Sequence, residues 1–156
     1  MENSAHREEE YKLWWLLCQT RDATHAARTK ELRQYGISST EAGVLFILKS
    51  GHKNMTPAEL ARWLLRKPHS VTGLLSRMEK KGLVKKTKDL SRKNMIRVTI
   101  TEKGEQAYSV SLKRDSLHAI MSSLTKESLQ QIMSSLYILR ASALEGTGWK
   151  EELPFP

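Results

Sequence analysis

Apolar side chains recur along this chain at two periods, and the change from one to the other organises its fold. Residues 7 to 34 contain no Gly or Pro and place Tyr11, Trp14, Trp15 and Cys18 at helical spacing, with Leu17 and Ala27 widening the apolar face. The spacing predicts one helix of ~40 Å, closed by Gly36. "SSTE" at 38–41 predicts a capping box, Ser38 with Glu41, opening a second helix through "AGVLFILKSG". "TPAE" at 56–59 is a second box with Pro57 at the first helical position, and it opens the short helix "PAELARWLLR". A further helix starts at Pro68 and runs to about Lys81, where Gly82 stops it. Beyond Gly82 the period falls to two. "LVKKTK" and "MIRVTIT" read as strands, with Ile96, Val98 and Ile100 alternating against Arg97, Thr99 and Thr101 around the polar tip "DLSRKN". Helical spacing then returns at about 105–122 and 126–145, the last helix carrying Leu129, Ile132, Met133, Leu136, Tyr137 and Leu144 on or near one stripe.

This order predicts a mainly α fold with a small two- or three-stranded β-wing, a winged helix-turn-helix. Residues 37 to about 104 form that unit. The flanking helices, about 8–36 and 105–145, form a separate helical layer within the same single domain. Their apolar faces exceed what the small central unit can cover, which makes a homodimer the natural arrangement.

Charge sharpens the picture. The chain carries a net +9, yet residues 62–97 hold twelve Lys or Arg against only Glu79 and Asp89, a local +10 that leaves the remainder near neutral. Excess charge confined to one contiguous quarter of the chain is the footprint of a polyanion binder. One cysteine excludes an internal disulfide, and five scattered histidines (His6, His25, His52, His69, His118) supply no pair at metal-ligand spacing. No cofactor and no metal are expected. The longest apolar runs fall far short of the ~20 residues of a membrane span, and "MENSAHREEE" lacks the apolar core of a signal peptide. The expectation is a cytoplasmic protein without membrane partners.

The element order, with "TPAELARWLLRKPHSVTGLLSRMEKKGLV" and "KDLSRKNMIRVTITEKG", resembles the MarR family of transcriptional regulators over about residues 8–145. The most specific parts are Val71-Thr72, "SRMEKKGLV" at 76–84 and "VTITEKG" at 98–104. The resemblance implies a homodimeric winged-helix protein on a pseudo-palindromic operator of double-stranded DNA, commonly a repressor released by a small ligand or an oxidant. Physical chemistry assigns the contacts. His69, Ser70 and Thr72 stand at the leading end of the recognition helix, suited to base edges. Pro68 fits the first turn, where free N–H groups favour a phosphate. Arg66, Lys67 and Arg77 are assigned to the DNA backbone. At the wing the resemblance implies a basic side chain inserted into the minor groove, for which Arg92 is the expected residue with Lys93 as substitute, alongside Lys88, Ser91 and Asn94. Two departures from the family stand out. Its frequent Asp-x-Arg is stretched here, so that Arg92 follows Asp89 by three, and Asp89 is expected to hold the wing's shape by pairing with a nearby Arg. Gly73 stands where many relatives carry Arg, which removes a guanine-reading fork.

Trp14, Trp15, His25, Tyr35 and Trp63 are candidates to line a small-molecule effector cleft, although aromatics at helical spacing are more often core. Cys18 reads either as a small buried hydrophobe, the preferred reading, or as a thiol like that of the family's peroxide-sensing branch, which would make the protein a redox-sensing repressor. An architectural or non-specific nucleic-acid binder is the other alternative. An RNA module is disfavoured because residues 64–100 contain no Phe, Trp or Tyr to stack on bases. An enzyme is excluded by the lack of a phosphate loop, nucleophile elbow or metal pair.

Overall fold

A computed structural model of the chain describes residues 2–50, 54–89, 91 and 95–147. The elements are α1 (Glu2–Arg33), α2 (Ser39–Lys49), α3 (Pro57–Trp63), α4 (Pro68–Lys80), β1 (Val84–Asp89), β2 (Met95–Ile100), α5 (Glu102–Ser111), α6 (Asp115–Met121) and α7 (Lys126–Gly146). It is the expected mainly α winged helix. The wing is a two-stranded antiparallel hairpin, Val84 opposite Ile100 and Asp89 opposite Met95. Among the described residues a single bridge, from Met55 to Val98, stands where a third strand would pair.

Local chemistry starts these helices where the sequence places the starts. Both capping boxes form, Ser38 with Glu41 and Thr56 with Glu59. Gly36 and Gly82 take the left-handed conformation, φ +71° and +76°, that ends α1 and α4. The core lies in the winged unit: Val44, Leu45, Leu60, Val71, Leu75, Met78, Val84 and Val98 are fully buried, and Leu32 is the buried residue α1 contributes among those described. Fixing α5 against the wing takes one threonine and one glycine. Thr101 donates its hydroxyl to the Gly82 carbonyl at 2.5 Å and accepts the Gly104 N–H at 3.0 Å. A Cβ on Gly104 would stand 2.1 Å from the Leu83 carbonyl oxygen.

The helix expected over 105–122 differs. It starts earlier, at Glu102, because Thr101 caps it, and it is two helices. Arg114 turns left-handed, φ +53°, and α6 restarts with its N–H groups on a side chain from α1. Glu31 accepts from the backbone of Asp115 at 3.0 Å and Ser116 at 3.3 Å, and from the Ser116 hydroxyl. Arg28 pairs with Glu31 at 2.7 Å and donates to the Ser111 carbonyl. Burial alone would push the Glu31 carboxyl up, but Ser116 and Arg28 outweigh it and hold the pKa at about 2.

Candidate nucleic-acid interface

The helical period of α4 sorts its residues onto two faces. Val71, Leu74, Leu75 and Met78 are buried, whereas His69, Thr72, Arg77 and Lys80 are exposed along the opposite stripe, with Gly73 and Ser76 half-buried between them. The leading end, Arg66 through Ser70, is exposed throughout. The Thr72 hydroxyl donates back to the Pro68 carbonyl at 3.1 Å, so its lone pairs and methyl group face outward. Side-chain caps hold the starts of α2, α3, α5 and α7, but α4 begins at Lys67 without one. Pro68 has no N–H and the Ser70 N–H bonds the Lys67 carbonyl at 3.1 Å, which leaves the His69 N–H of the first turn available to an anion.

The preceding turn is built from Leu65, left-handed at φ +50°, whose N–H reaches the Arg62 carbonyl at 3.0 Å. The Arg66 N–H bonds the Ala61 carbonyl at 2.9 Å. These bonds set the angle between α3 and α4.

The wing is tied to α4 from one side and to α3 from the other. Lys86 donates its backbone N–H to Glu79 at 2.9 Å, and its ammonium pairs with the same carboxylate at 2.9 Å and reaches the Ser76 hydroxyl at 3.2 Å. The Lys86 ammonium and backbone N–H together hold the Glu79 carboxyl below its usual range. On the other side Arg97 pairs with Asp89 at 3.2 Å, donates to the Asn54 carbonyl at 3.0 Å and lies 3.9 Å from Glu59 of the α3 cap. Asp89 also accepts from Ser91, 3.1 Å from its N–H and 2.6 Å from its hydroxyl. Those bonds, Ser91 first and Arg97 second, lower the Asp89 pKa. The Arg expected beside Asp89 is therefore Arg97, from the opposite strand. Ser91, grouped in the sequence with the DNA contacts, uses both its donors to shape the hairpin. Lys88 is exposed; Arg92, Lys93 and Asn94 lie outside the described residues.

The structure leaves Arg66 and Lys67 exposed just before α4 and Pro68, His69, Ser70, Thr72 and Arg77 exposed along it, but does not converge the five effector candidates. Trp14 and Trp15, each about half exposed at 52% and 51%, form a run of tilted ring contacts on α1 with Tyr11. His25 Nε2 meets the Ser39 hydroxyl at 2.6 Å, and Trp63 packs on the core of the winged unit. Only Tyr35 of the five lines a cleft of about 440 Å³, whose wall includes Ile37, Lys81, Leu83, Lys103 and Ala107. Cys18 is half-buried on α1. Among the described residues no group of three or more His, Cys, Asp or Glu is placed to hold a metal ion, and no helix is long and apolar enough to cross a membrane.

The pattern of the MarR family matches residues 35–93, from the end of α1 to the wing tip. The organohalide-sensing transcriptional regulator RdhR-CbdbA1625, solved in a ligand-free form, is 33% identical over 94% of this chain and 89% of that one, with a TM-score of 0.86. The chain belongs to the MarR family. The same regulator bound to 2,4-dichlorophenol is 34% identical, covering 86% of this chain and 81% of that chain at a TM-score of 0.80. A cysteine-to-serine mutant of MarR from E. coli complexed with operator DNA, 19% identical over 84% and 95% of the two chains (TM-score 0.78), shares the fold. So does MepR from S. aureus in complex with DNA, at 20% identity over 82% and 96% (TM-score 0.74). No curated protein matches the chain. As a MarR-family winged helix it is a DNA-binding transcriptional regulator, not an enzyme.

Sequence reasoning missed the residues that position this surface. Arg97 carried a faint signal, being a cation that alternates with buried strand positions. Lys81, whose ammonium meets Glu41 at 2.9 Å and the Gly36 carbonyl at 3.0 Å, carried none beyond its charge.

Proposed function

We propose that the protein is a ligand-responsive repressor that acts as a homodimer on a pseudo-palindromic operator. The observation that carries this reading is the uncapped, exposed and polar leading end of α4 standing beside a basic hairpin. In the complex α4 enters the major groove. His69, Ser70 and Thr72 face base edges, while Arg66, Lys67 and Arg77 hold phosphates and the free His69 N–H after Pro68 receives another. The wing lays Lys88, Arg92, Lys93 and Asn94 along the backbone and minor groove, with Arg92 inserted. Dimerisation falls to the terminal helices, whose apolar side chains stand open. Trp14, Trp15 and Leu16 on α1 and Ile132, Met133, Leu136 and Ile138 on α7 are each exposed by 40% or more. Ligand response is supported by RdhR-CbdbA1625, solved both free and with 2,4-dichlorophenol.

Selection of bound genomic fragments, followed by fluorescence anisotropy on the best one across a salt series, tests the reading. Arg92→Ala should weaken operator binding and reduce the slope of log K against log salt by about 1. An unchanged slope refutes a phosphate or minor-groove role for Arg92. Binding that fails to distinguish the selected fragment from random duplex refutes the operator.

A further inference from the structure

Strand alternation gives the wing two faces, and each is fastened to a different helix, one rung apart. Lys86, opposite Val98, ties one face to α4: its backbone N–H and its ammonium both meet Glu79 at 2.9 Å. Arg97, opposite Thr87, ties the other face to the start of α3. Its Nε donates to Asp89 at 3.2 Å, diagonally across the hairpin, and its Nη1 donates to the Asn54 carbonyl at 3.0 Å. The Glu59 carboxylate of the α3 cap stands 3.9 Å from the same Nη1. Beyond these rungs Lys88, Met95 and Ile96 are exposed. The hairpin is therefore a lever whose fixed point lies two rungs, ~7 Å, short of its last paired residues.

We propose that Arg97 is the positioning residue for the wing's choice of flanking base pairs. By joining Asp89 to the Asn54 carbonyl it fixes the pitch of the hairpin against α3 and α4, and so the height at which the wing meets the minor groove. A planar guanidinium does this with two N–H groups held at a set angle, a part that a lysine ammonium does not reproduce. The Arg97 side chain is only 22% exposed, and its Nε and Nη1 are both turned to protein acceptors, so it acts through the wing rather than by touching phosphate. The minor groove offers little beyond A·T against G·C and its own width. A wing held at one height can sense that difference, whereas one free to tilt settles on either flank alike. This deepens the operator reading above and rests on it, assigning flank preference to a residue outside the DNA-facing surface.

The test is fluorescence anisotropy on the full-length protein with three duplexes built from the selected genomic fragment. One has outer flanks of A·T pairs, one has outer flanks of G·C pairs, and one keeps A·T flanks but changes a base pair inside each half-site. The wild type should prefer the A·T flanks to the G·C flanks at least tenfold. Arg97→Met should bring that ratio to about twofold, while the half-site change costs it the same factor as the wild type and circular dichroism reports the same helix content. Arg97→Lys should not restore the ratio, although a mere phosphate contact would survive that exchange. Asp89→Asn separates position from charge. It removes a negative charge beside a polyanion, which by electrostatics alone tightens binding to both flanks, whereas loss of position lowers the flank ratio to about threefold or less. It also carries the test should Arg97→Met fail to fold. A wild-type flank ratio in Arg97→Met, Arg97→Lys or Asp89→Asn, or an equal loss of the half-site penalty, would overturn the proposal. A wild-type protein that cannot tell the selected fragment from random duplex fails the repressor reading; one that can, yet binds both flanks alike, fails only this inference.

Discussion

The winged unit and the two terminal helices treat the same kind of side chain in opposite ways. In the winged unit Leu45, Leu60, Leu75 and Met78 are fully buried, and most of its helix starts are capped. On α7 no residue is buried, and on α1 the apolar run Tyr11, Leu13, Trp14, Trp15 and Leu16 is about half exposed or more. The terminal helices are the longer and more regular, 32 and 21 residues against 7 to 13 in the winged unit, where Gly43 and Gly73 stand inside helices, so helix propensity does not explain why the shorter ones are buried. Partnership does. The winged unit closes on itself, while the helical layer leaves an apolar face open, the one proposed above for the dimer. The part-buried network of Arg28, Glu31 and Ser116 lies inside the helical layer, where it ties α6 to α1.

The comparison can be broken hardest at Gly104. A methyl group there meets the Leu83 carbonyl and Ile100 Cγ1, at 2.1 and 2.7 Å, so α5 must move away from the wing. Gly104→Ala should destabilise the protein by about 3 kcal/mol, read as a lowered midpoint in urea. A loss under 1 kcal/mol would show that the two regions are not rigidly joined at this point.

Next in size is the open face. Glu in place of Ile132 and Leu136, both exposed by about 42–43%, should leave the circular dichroism of the winged unit intact while halving the mass in solution. Operator affinity should fall about a hundredfold as the second half-site contact is lost. A double variant that keeps the wild-type mass in light scattering would place the partner surface elsewhere.

How much of this could be read from sequence follows the reach of each interaction. The two capping boxes were legible because donor and acceptor lie three residues apart, and the outward stripe of α4 because burial repeats with the helix. The break between α5 and α6 was not. No Gly or Pro stands at 112–114, and the helix restarts only because Glu31, more than eighty residues away, accepts its first N–H groups. Arg97 on the Asn54 carbonyl and Lys81 on Glu41 are long-range in the same sense, and they position the DNA-facing surface without belonging to it. Of the five aromatic and histidine candidates, Trp14, Trp15 and His25 stand on α1, Tyr35 just after it and Trp63 on α3, and only Tyr35 reaches the cleft, since spacing orders residues on one helix and says nothing of which helix packs where.

The tie between α1 and α6 inside the helical layer can be probed by pH. The folded pKa of Glu31, about 2, lies below its ordinary value of 4.5, so its carboxylate contributes stability that is fully present above pH 4.5 and is lost as pH falls toward 2. Glu31→Gln should cost about 2 kcal/mol at neutral pH and flatten the stability profile over that window, measured by thermal denaturation at fixed ionic strength. A variant whose profile keeps the wild-type slope between pH 4.5 and 2 would assign the acid sensitivity to other carboxylates, Glu59 and Asp89 first, since both are lowered too.

The smallest effect is expected at Gly73, where the two faces of α4 meet. A glycine inside a helix costs about 0.5–1 kcal/mol relative to alanine, and nothing crowds this one: an added Cβ would find Arg77 Nη1 at 3.6 Å, an ordinary contact. Gly73→Ala should therefore stabilise the free protein by that amount in urea denaturation. Its effect on operator binding decides what the glycine is for. If affinity holds within about twofold, Gly73 is simply a position without a base-reading side chain, and specificity rests on His69, Ser70, Thr72 and the wing. If affinity drops tenfold while stability rises, the helix needs a bare backbone there to approach the DNA closely, and the open surface of the winged unit is as closely fitted to its partner as the buried face is to its core.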